Sequence, residues 1–131
     1  MDLITVDFET YYSQDFSLSK LTTEEYIRSR QFEVIGVAVK VNNGATEWAS
    51  GTEEQIKEYL QEFDWANSMI VAHNTMFDGA IMNWKFGIEP KMWADTMCMS
   101  RADCGVEVSH SLKATADRYG VGNKGTEVIA A

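Results

Sequence analysis

Apolar and polar residues alternate in the segment Leu3–Phe8, and this alternation is the strongest constraint on the fold. Side chains two residues apart share one face of a β-strand, so the segment predicts a strand with one buried and one polar face. Asp7 and Glu9 lie on the polar face at the end of this strand, about 6.6 Å apart along it. Two like charges on one face repel each other unless a cation lies between them. The pattern therefore indicates either a metal site or a strand that ends in solvent.

The rest of the chain predicts a succession of strands and helices. Strands are expected at Phe32–Val41, Ala45–Ala49, Ser68–Ala72 and Met92–Ala94, and helices at Leu21–Arg30, Thr52–Phe63, Thr75–Phe86, Thr96–Ala102 and Ser109–Tyr119. Asn42-Asn43-Gly44 predicts a hairpin between the second and third strands. Thr22 with Glu25, and Thr52 with Gln55, fit capping boxes at two helix starts. This order predicts an α/β fold with a mixed central sheet, antiparallel in its first strands and parallel afterwards, flanked by helices.

Size and composition indicate one globular domain over residues 1–131. The chain has 131 residues, of which 45% are apolar and 24% charged. Its longest strongly apolar run, Val34–Val39, is far shorter than the roughly 20 residues of a membrane helix. The N-terminus has no signal-peptide pattern, and Cys98 and Cys104 are the only cysteines, which favours a reducing compartment. We therefore expect a monomeric cytoplasmic protein that is not secreted and has no membrane partner.

The charge distribution limits the ways in which this chain can bind nucleic acid. The net charge is −9, from 20 acidic and 11 basic residues, and the whole acidic excess lies in residues 1–100. A domain that binds nucleic acid through its own surface typically carries a basic patch, which is absent from this sequence. An enzyme that approaches phosphate through metal ions is still compatible with the charge, because hard divalent cations require clustered carboxylates.

A second group of polar residues occurs in the segment His73–Asp78, where a predicted strand gives way to a helix. Asn74 is expected to cap this helix, and Asp78 lies in its first turn. The partial positive charge of a helix N-terminus favours a carboxylate, so Asp78 can serve either to stabilise the helix or to bind a ligand.

Four segments, taken together, resemble a known family. They are Val6–Thr10, Ala72–Asp78, Ala94–Met97 and Ser109–Lys113, and they occur in order along most of the chain. This pattern resembles the 3′→5′ proofreading exonuclease domain of family A DNA polymerases, most closely those of bacteriophages. The resemblance implies membership of the DnaQ-like DEDD superfamily and an RNase H-like fold. It also implies that the domain is joined to a polymerase domain and is located in the host cytoplasm.

The resemblance implies a two-metal nuclease. The residues implied as catalytic and as ligands of two Mg²⁺ or Mn²⁺ ions are Asp7, Glu9 and Asp78. Those implied to bind the 3′ end of single-stranded DNA are Phe8, Thr10 and Asn74. Supporting residues in or near the matched segments are His73, Asp95 and His110. In such a site, two cations about 3.5–4 Å apart stabilise the attacking and leaving oxygens of a phosphodiester hydrolysis.

The sequence departs from the family at the fourth acid. In the family this acid belongs to a Tyr-x-x-x-Asp or His-x-x-x-x-Asp motif on a later helix, and neither pattern follows Ser109–Lys113 here; His110 and Asp117 are seven residues apart. We therefore expect an N-terminal piece of a longer chain, ending before the third motif and weak or inactive alone. Two alternatives stay open: an inactive RNase H-like binding or scaffold module, and a DEDD nuclease that acts on RNA.

Overall fold

Five strands form one mixed sheet in the computed structural model, which describes residues 1–122. The strands are β1 (Asp2–Thr10), β2 (Val34–Val41), β3 (Glu47–Ser50), β4 (Ser68–Ala72) and β5 (Met92–Asp95). Their order across the sheet is β3-β2-β1-β4-β5. β1 pairs antiparallel with β2, and β2 with β3, whereas β1–β4 and β4–β5 are parallel. The predicted mixed sheet is thus confirmed; residues 123–131 of the expected domain lie outside the described part.

The helices begin where the sequence provides a cap. They are α1 (Thr23–Arg28), α2 (Glu53–Leu60), α3 (Thr75–Phe86), α4 (Thr96–Cys104) and α5 (Leu112–Tyr119), with one 3-10 turn at Trp65–Asn67. Both predicted capping boxes form, at Thr22 and Thr52. α5 starts later than expected, because the Ser111 side chain accepts the N–H of Ala114 and so caps the helix there. Within residues 1–122, no helix has the length and apolar character needed to cross a bilayer.

The core lies on one face of the sheet and leaves the other face of β1 polar. Burial alternates along β1, with Ile4, Val6 and Phe8 almost fully buried. They belong to one apolar cluster with side chains of α1, α2 and α3. Because side chains alternate along a strand, Asp7 and Glu9 face away from this core. The same pattern that builds the sheet therefore presents both carboxylates outside the core.

The hairpin of β2 and β3 fixes the strand beside these carboxylates. Asp7 and Glu9 pair across β1–β2 with Ala38 and Gly36, which are both small. A Cβ atom added to Gly36 would lie 2.4 Å from Cζ2 of Trp48 and 2.7 Å from the backbone oxygen of Ala49. Gly36 is therefore required by the close approach of the indole ring.

We expect Gly36→Ala to lower the free energy of unfolding by about 1–3 kcal/mol, because the added methyl group must displace Trp48 and the β3 backbone. Denaturant unfolding monitored by fluorescence measures this change. In a Trp48→Ala background the loss should be smaller, since the contact with the ring is gone. Equal losses in both backgrounds would contradict this packing.

Candidate active site

A cleft of about 610 Å³ opens at the carboxyl ends of β1 and β4. It brings together six of the residues singled out in the sequence, namely Asp7, Phe8, Glu9, His73, Asn74 and Asp78. The two parallel strands end at the same edge of the sheet, and α3 begins directly after β4, so the fold itself places these residues together. The first and second sequence segments therefore form one site.

Asp78 is the most constrained acid of this site. Its side chain is only 3% exposed, and its Oδ1 accepts a hydrogen bond of 3.1 Å from the backbone N–H of Phe8. Burial, followed by the charges of Asp7, Glu9 and Asp95, raises the pKa of Asp78 to about 8, and the Phe8 hydrogen bond opposes this rise. In the absence of a cation, the Asp78 carboxyl group is therefore mostly protonated at neutral pH.

Asp7 and Glu9 approach the same cleft from β1. Asp7 is exposed and Glu9 half-buried, in alternation with the buried residues of the strand. The electrostatic effect of both on Asp78 indicates that the three acids share one local field. In the described part of the chain, residues 1–122, no three His, Cys, Asp or Glu side chains are arranged as a complete metal-binding group. The site thus offers carboxylate oxygens, the ligands that hard cations prefer, but these residues do not form a complete set of ligands around one position.

Asn74 begins α3 in an unusual conformation. Its φ of 79° and ψ of 76° lie in the left-handed region, and its side chain makes no capping hydrogen bond. The prediction that Asn74 is the N-cap residue of α3 is confirmed, although its side chain makes no capping hydrogen bond. The Asn74 N–H instead donates to Asp95 Oδ1 at 2.9 Å. Asn74 is one of the residues that line the cleft.

His73 joins the cleft to the segment before α5. Its Nε2 lies 2.6 Å from the carbonyl oxygen of His110, and its Nδ1 lies 2.9 Å from Oγ1 of Thr96. Because a carbonyl oxygen can only accept, Nε2 of His73 carries the proton in this pair. The imidazole is therefore held by two partners at the wall of the cleft.

Asp95 and His110 lie outside the cleft lining and brace its surroundings. Asp95 caps α4 by accepting the N–H groups of Met97 and Cys98. His110 is 8% exposed, and its Nδ1 pairs with Ser100 Oγ at 2.7 Å. Their supporting roles stay predictions.

Phe8 and Thr10 are placed differently from side chains that bind substrate. The Phe8 side chain is 4% exposed and stacks on Phe86, with the ring centroids 5.9 Å apart. The only polar groups that Phe8 can offer to the cleft are therefore those of its backbone. The Thr10 hydroxyl is bonded to the hydroxyl of Tyr26 at 2.9 Å, and Thr10 does not line the cleft. Both side chains follow the strand alternation onto the core face.

The remaining cleft wall was missed by the sequence reasoning. Thr96 and Met97 contribute from α4, and Leu112 contributes from α5. Each of these residues lies inside a segment on which the family resemblance rests, and that membership was the one sequence signal that could have identified them. Their positions depend on how α4 and α5 fold back against β4, which a local pattern does not specify.

No family model and no curated protein matches this chain. Several solved structures do. The structure of Brucella melitensis NrnC with bound Mg²⁺ aligns with a TM-score of 0.67 at 15% identity, over 95% of this chain and 56% of that chain. NrnC bound to pGG aligns with a TM-score of 0.64 at 16% identity, over 94% and 54%. A structure described as the apo form of the nuclease gives a TM-score of 0.68 at 17% identity, over 98% and 56%.

These matches concern the fold. The chain spans a little over half the length of the structures that it resembles. At such low identity the likeness establishes the architecture, a five-stranded mixed sheet flanked by helices, and the expected RNase H-like fold is confirmed.

Replacing Asp78 by Asn should stabilise the metal-free protein at high pH. The pKa of Asp78 is about 8 in the folded state against an ordinary value of 3.8, so the folded state binds this proton more tightly. The contribution of protonated Asp78 to the free energy of unfolding is therefore complete below pH 3.8 and is lost as the pH rises to about 8. Asn keeps an oxygen to accept the Phe8 N–H and carries no charge.

Denaturant unfolding in EDTA at pH 5 and pH 8 measures this difference. From the lower to the higher pH, Asp78→Asn should gain stability relative to wild type by the order of a few kcal/mol. Asp15→Asn, a change at an exposed acid, is the matched control. A difference that does not vary with pH would contradict the protonated state assigned to Asp78.

Proposed function

We propose that this chain is the metal-binding part of a divalent-cation-dependent nuclease that removes nucleotides from the 3′ end of single-stranded DNA. The observation that carries this proposal is the convergence of Asp7, Glu9 and Asp78 on one cleft, where Asp78 is buried and its pKa raised to about 8. A buried acid beside two others is unfavourable without a compensating charge. A bound cation supplies that charge.

The chemistry of the donor set supports a hard cation such as Mg²⁺ or Mn²⁺. Carboxylate oxygens are the ligands that these ions prefer. Asp7 and Glu9 would hold the cations from β1, and Asp78 from α3. Cation binding requires the Asp78 proton to leave, so we expect the affinity to increase with pH up to about 8.

The similar solved structures support a nuclease of this kind. One of them contains bound Mg²⁺, and another is bound to the short oligonucleotide pGG. The likeness to these structures lies in the fold, at 15–16% identity. The four sequence segments that resemble the exonuclease family, and the three acids that meet in the cleft, are the features that relate this fold to metal-dependent hydrolysis.

Within the site, each residue has a defined part in hydrolysis. When bound, the cations supply an activated water and neutralise the oxygen that leaves. Asp7, Glu9 and Asp78 orient the cations, and the Phe8 N–H keeps Asp78 in place. The Asn74 side chain lines the cleft and can donate to a phosphate or ribose oxygen. The apolar side chains of Met97 and Leu112 offer a surface for the terminal base.

The polymerase context of this activity rests on the motif resemblance. We propose a proofreading role as part of a phage-type DNA polymerase, in which a monomeric cytoplasmic exonuclease domain receives a frayed 3′ end from the polymerase domain. Three acids of a four-acid site are assigned among residues 1–122. With the fourth unassigned, the activity of residues 1–131 by themselves is expected to be weak.

RNA is a second candidate substrate. The observation that favours it is the pGG oligonucleotide in a structure with the same fold, since a dinucleotide is a substrate size that does not require a polymerase. A nuclease reads RNA through contacts to the 2′-hydroxyl, and such contacts depend on the sugar position in the cleft. An inactive binding module is the third possibility, and the same experiment separates all three.

The test uses 5′-labelled single-stranded DNA and RNA of equal sequence, with Mn²⁺, and follows product length over time. We expect slow shortening of DNA from its 3′ end, abolished by EDTA and by Asp7→Asn. Asp15→Asn, which changes an exposed acid outside the cleft, should retain the wild-type rate.

Each result decides between the candidates. Faster shortening of RNA than of DNA would replace the DNA proposal with the RNA one. Binding of either oligonucleotide without any shortening, unchanged by EDTA and by Asp7→Asn, would favour the inactive module.

A further inference from the structure

The start of α3 is hydrogen-bonded to an acidic residue of β5, Asp95. Helix N-termini leave N–H groups without helical partners, and the N-cap side chain normally accepts one of them. Asn74, the N-cap residue of α3, makes no such bond with its side chain. The N–H groups of Asn74 and Thr75 instead donate to Asp95, at 2.9 and 2.8 Å. Asp95 lies directly across from Ala72 in the β4–β5 pairing, beside the start of α3.

Asp95 holds two helix N-termini at once. Its Oδ1 also accepts the N–H groups of Met97 and Cys98 in α4, at 2.9 and 3.3 Å. Its Oδ2 accepts the Thr75 hydroxyl at 3.1 Å in addition to the Thr75 N–H. Burial alone would raise the pKa of Asp95, but the hydrogen bonds, led by that from Thr75, lower it to about 2. The carboxylate is therefore charged across the whole ordinary pH range.

These contacts distinguish Asp95 from the acids of the cleft. A carboxylate has about four lone-pair positions on its two oxygens, and Asp95 already accepts five donors. It is also absent from the cleft lining. Asp95 is thus fully engaged in fixing backbone and has no position left for a cation.

The fixed turn carries the two functional groups of α3. Asp78 lies one helical turn after Asn74, and the N–H groups of Phe77 and Asp78 donate to the Asn74 carbonyl at 3.0 and 3.4 Å. A shift of Asn74 therefore moves Asp78 relative to the Phe8 N–H. Asn74 itself lines the cleft, and its side chain takes no part in capping the helix.

We propose that Asp95 is a positioning residue that sets the direction of α3, so that Asp78 and the Asn74 side chain face the carboxylates of β1. The effect on cations rests on the proposed function. The effect on the position of Asp78 does not, because the Phe8–Asp78 hydrogen bond is a feature of the fold alone.

Asp95→Asn separates the two capping roles of this side chain. Asn is a good N-cap, so its Oδ1 can still accept the donors of α4. Its NH₂ group replaces Oδ2 and faces the Thr75 N–H, which leaves two donors against each other. The matched control is Thr52→Ala, which removes the side-chain cap of α2, on a helix outside the cleft.

The readouts are backbone amide exchange by NMR and Mn²⁺ affinity by titration calorimetry. In Asp95→Asn we expect faster exchange at Thr75 and at Phe8, measured relative to Val39 of β2, with Met97 unchanged. We expect the Mn²⁺ dissociation constant to rise about tenfold, as for other residues that orient metal ligands. Thr52→Ala should change neither the relative Phe8 exchange nor the Mn²⁺ affinity.

Two outcomes would overturn the proposal. If Thr75 loses protection while Phe8 keeps it, Asp95 caps α3 without positioning Asp78. If Thr52→Ala weakens Mn²⁺ binding as much as Asp95→Asn, the effect is general destabilisation. A wild-type chain that binds no Mn²⁺ would contradict the proposed function instead, and the exchange at Phe8 would still decide the role of Asp95.

Discussion

The hydrogen bond from the Phe8 N–H to the buried carboxylate of Asp78 is the contact on which the site depends. It joins the central strand to the first turn of α3, the two elements that carry the acids. The bond also holds the almost fully buried Asp78 in the cleft that Asp7 and Glu9 line. Without it, the buried carboxyl group would have lost water without gaining a partner. The burial that raises the pKa of this acid would also make its ionisation sensitive to a cation bound beside it.

The sheet supplies the geometry that this contact needs. β1 and β4 run parallel and end together, so the acids of β1 and the start of α3 meet without any long loop. Asp7 and Glu9 pair with the small residues Ala38 and Gly36 of β2. On the far side, Asp95 holds the start of α3 against β5. β1, β4 and β5 thus all contribute to the position of the Asp78 carboxyl group.

The elements with strong local signals were the ones that the sequence could predict. Ser68–Ala72 and Thr75–Phe86 have the predicted bounds, because an apolar run and a Gly87 stop define them locally. Strand alternation placed Asp7 and Glu9 on one face, whereas their convergence with Asp78 was implied by the family resemblance. The capping of α3 by Asp95 could not be inferred, since it joins residues 20 and 21 positions apart through tertiary contact. The core placement of the Phe8 and Thr10 side chains, by contrast, was available from the alternation and was outweighed by the family resemblance.

The central claim is that a divalent cation binds between the acids of β1 and Asp78. Mn²⁺ broadens NMR signals of nearby nuclei, so a titration of the isotope-labelled chain locates the ion directly. The account predicts early loss of the amide signals of Asp7, Phe8, Glu9 and Asp78, while those of α2 (Glu53–Leu60) persist. In Asp78→Asn this pattern should require a higher Mn²⁺ concentration. Broadening that begins at the exposed acids of α2, or that spreads evenly over the chain, would contradict a cation site in this cleft.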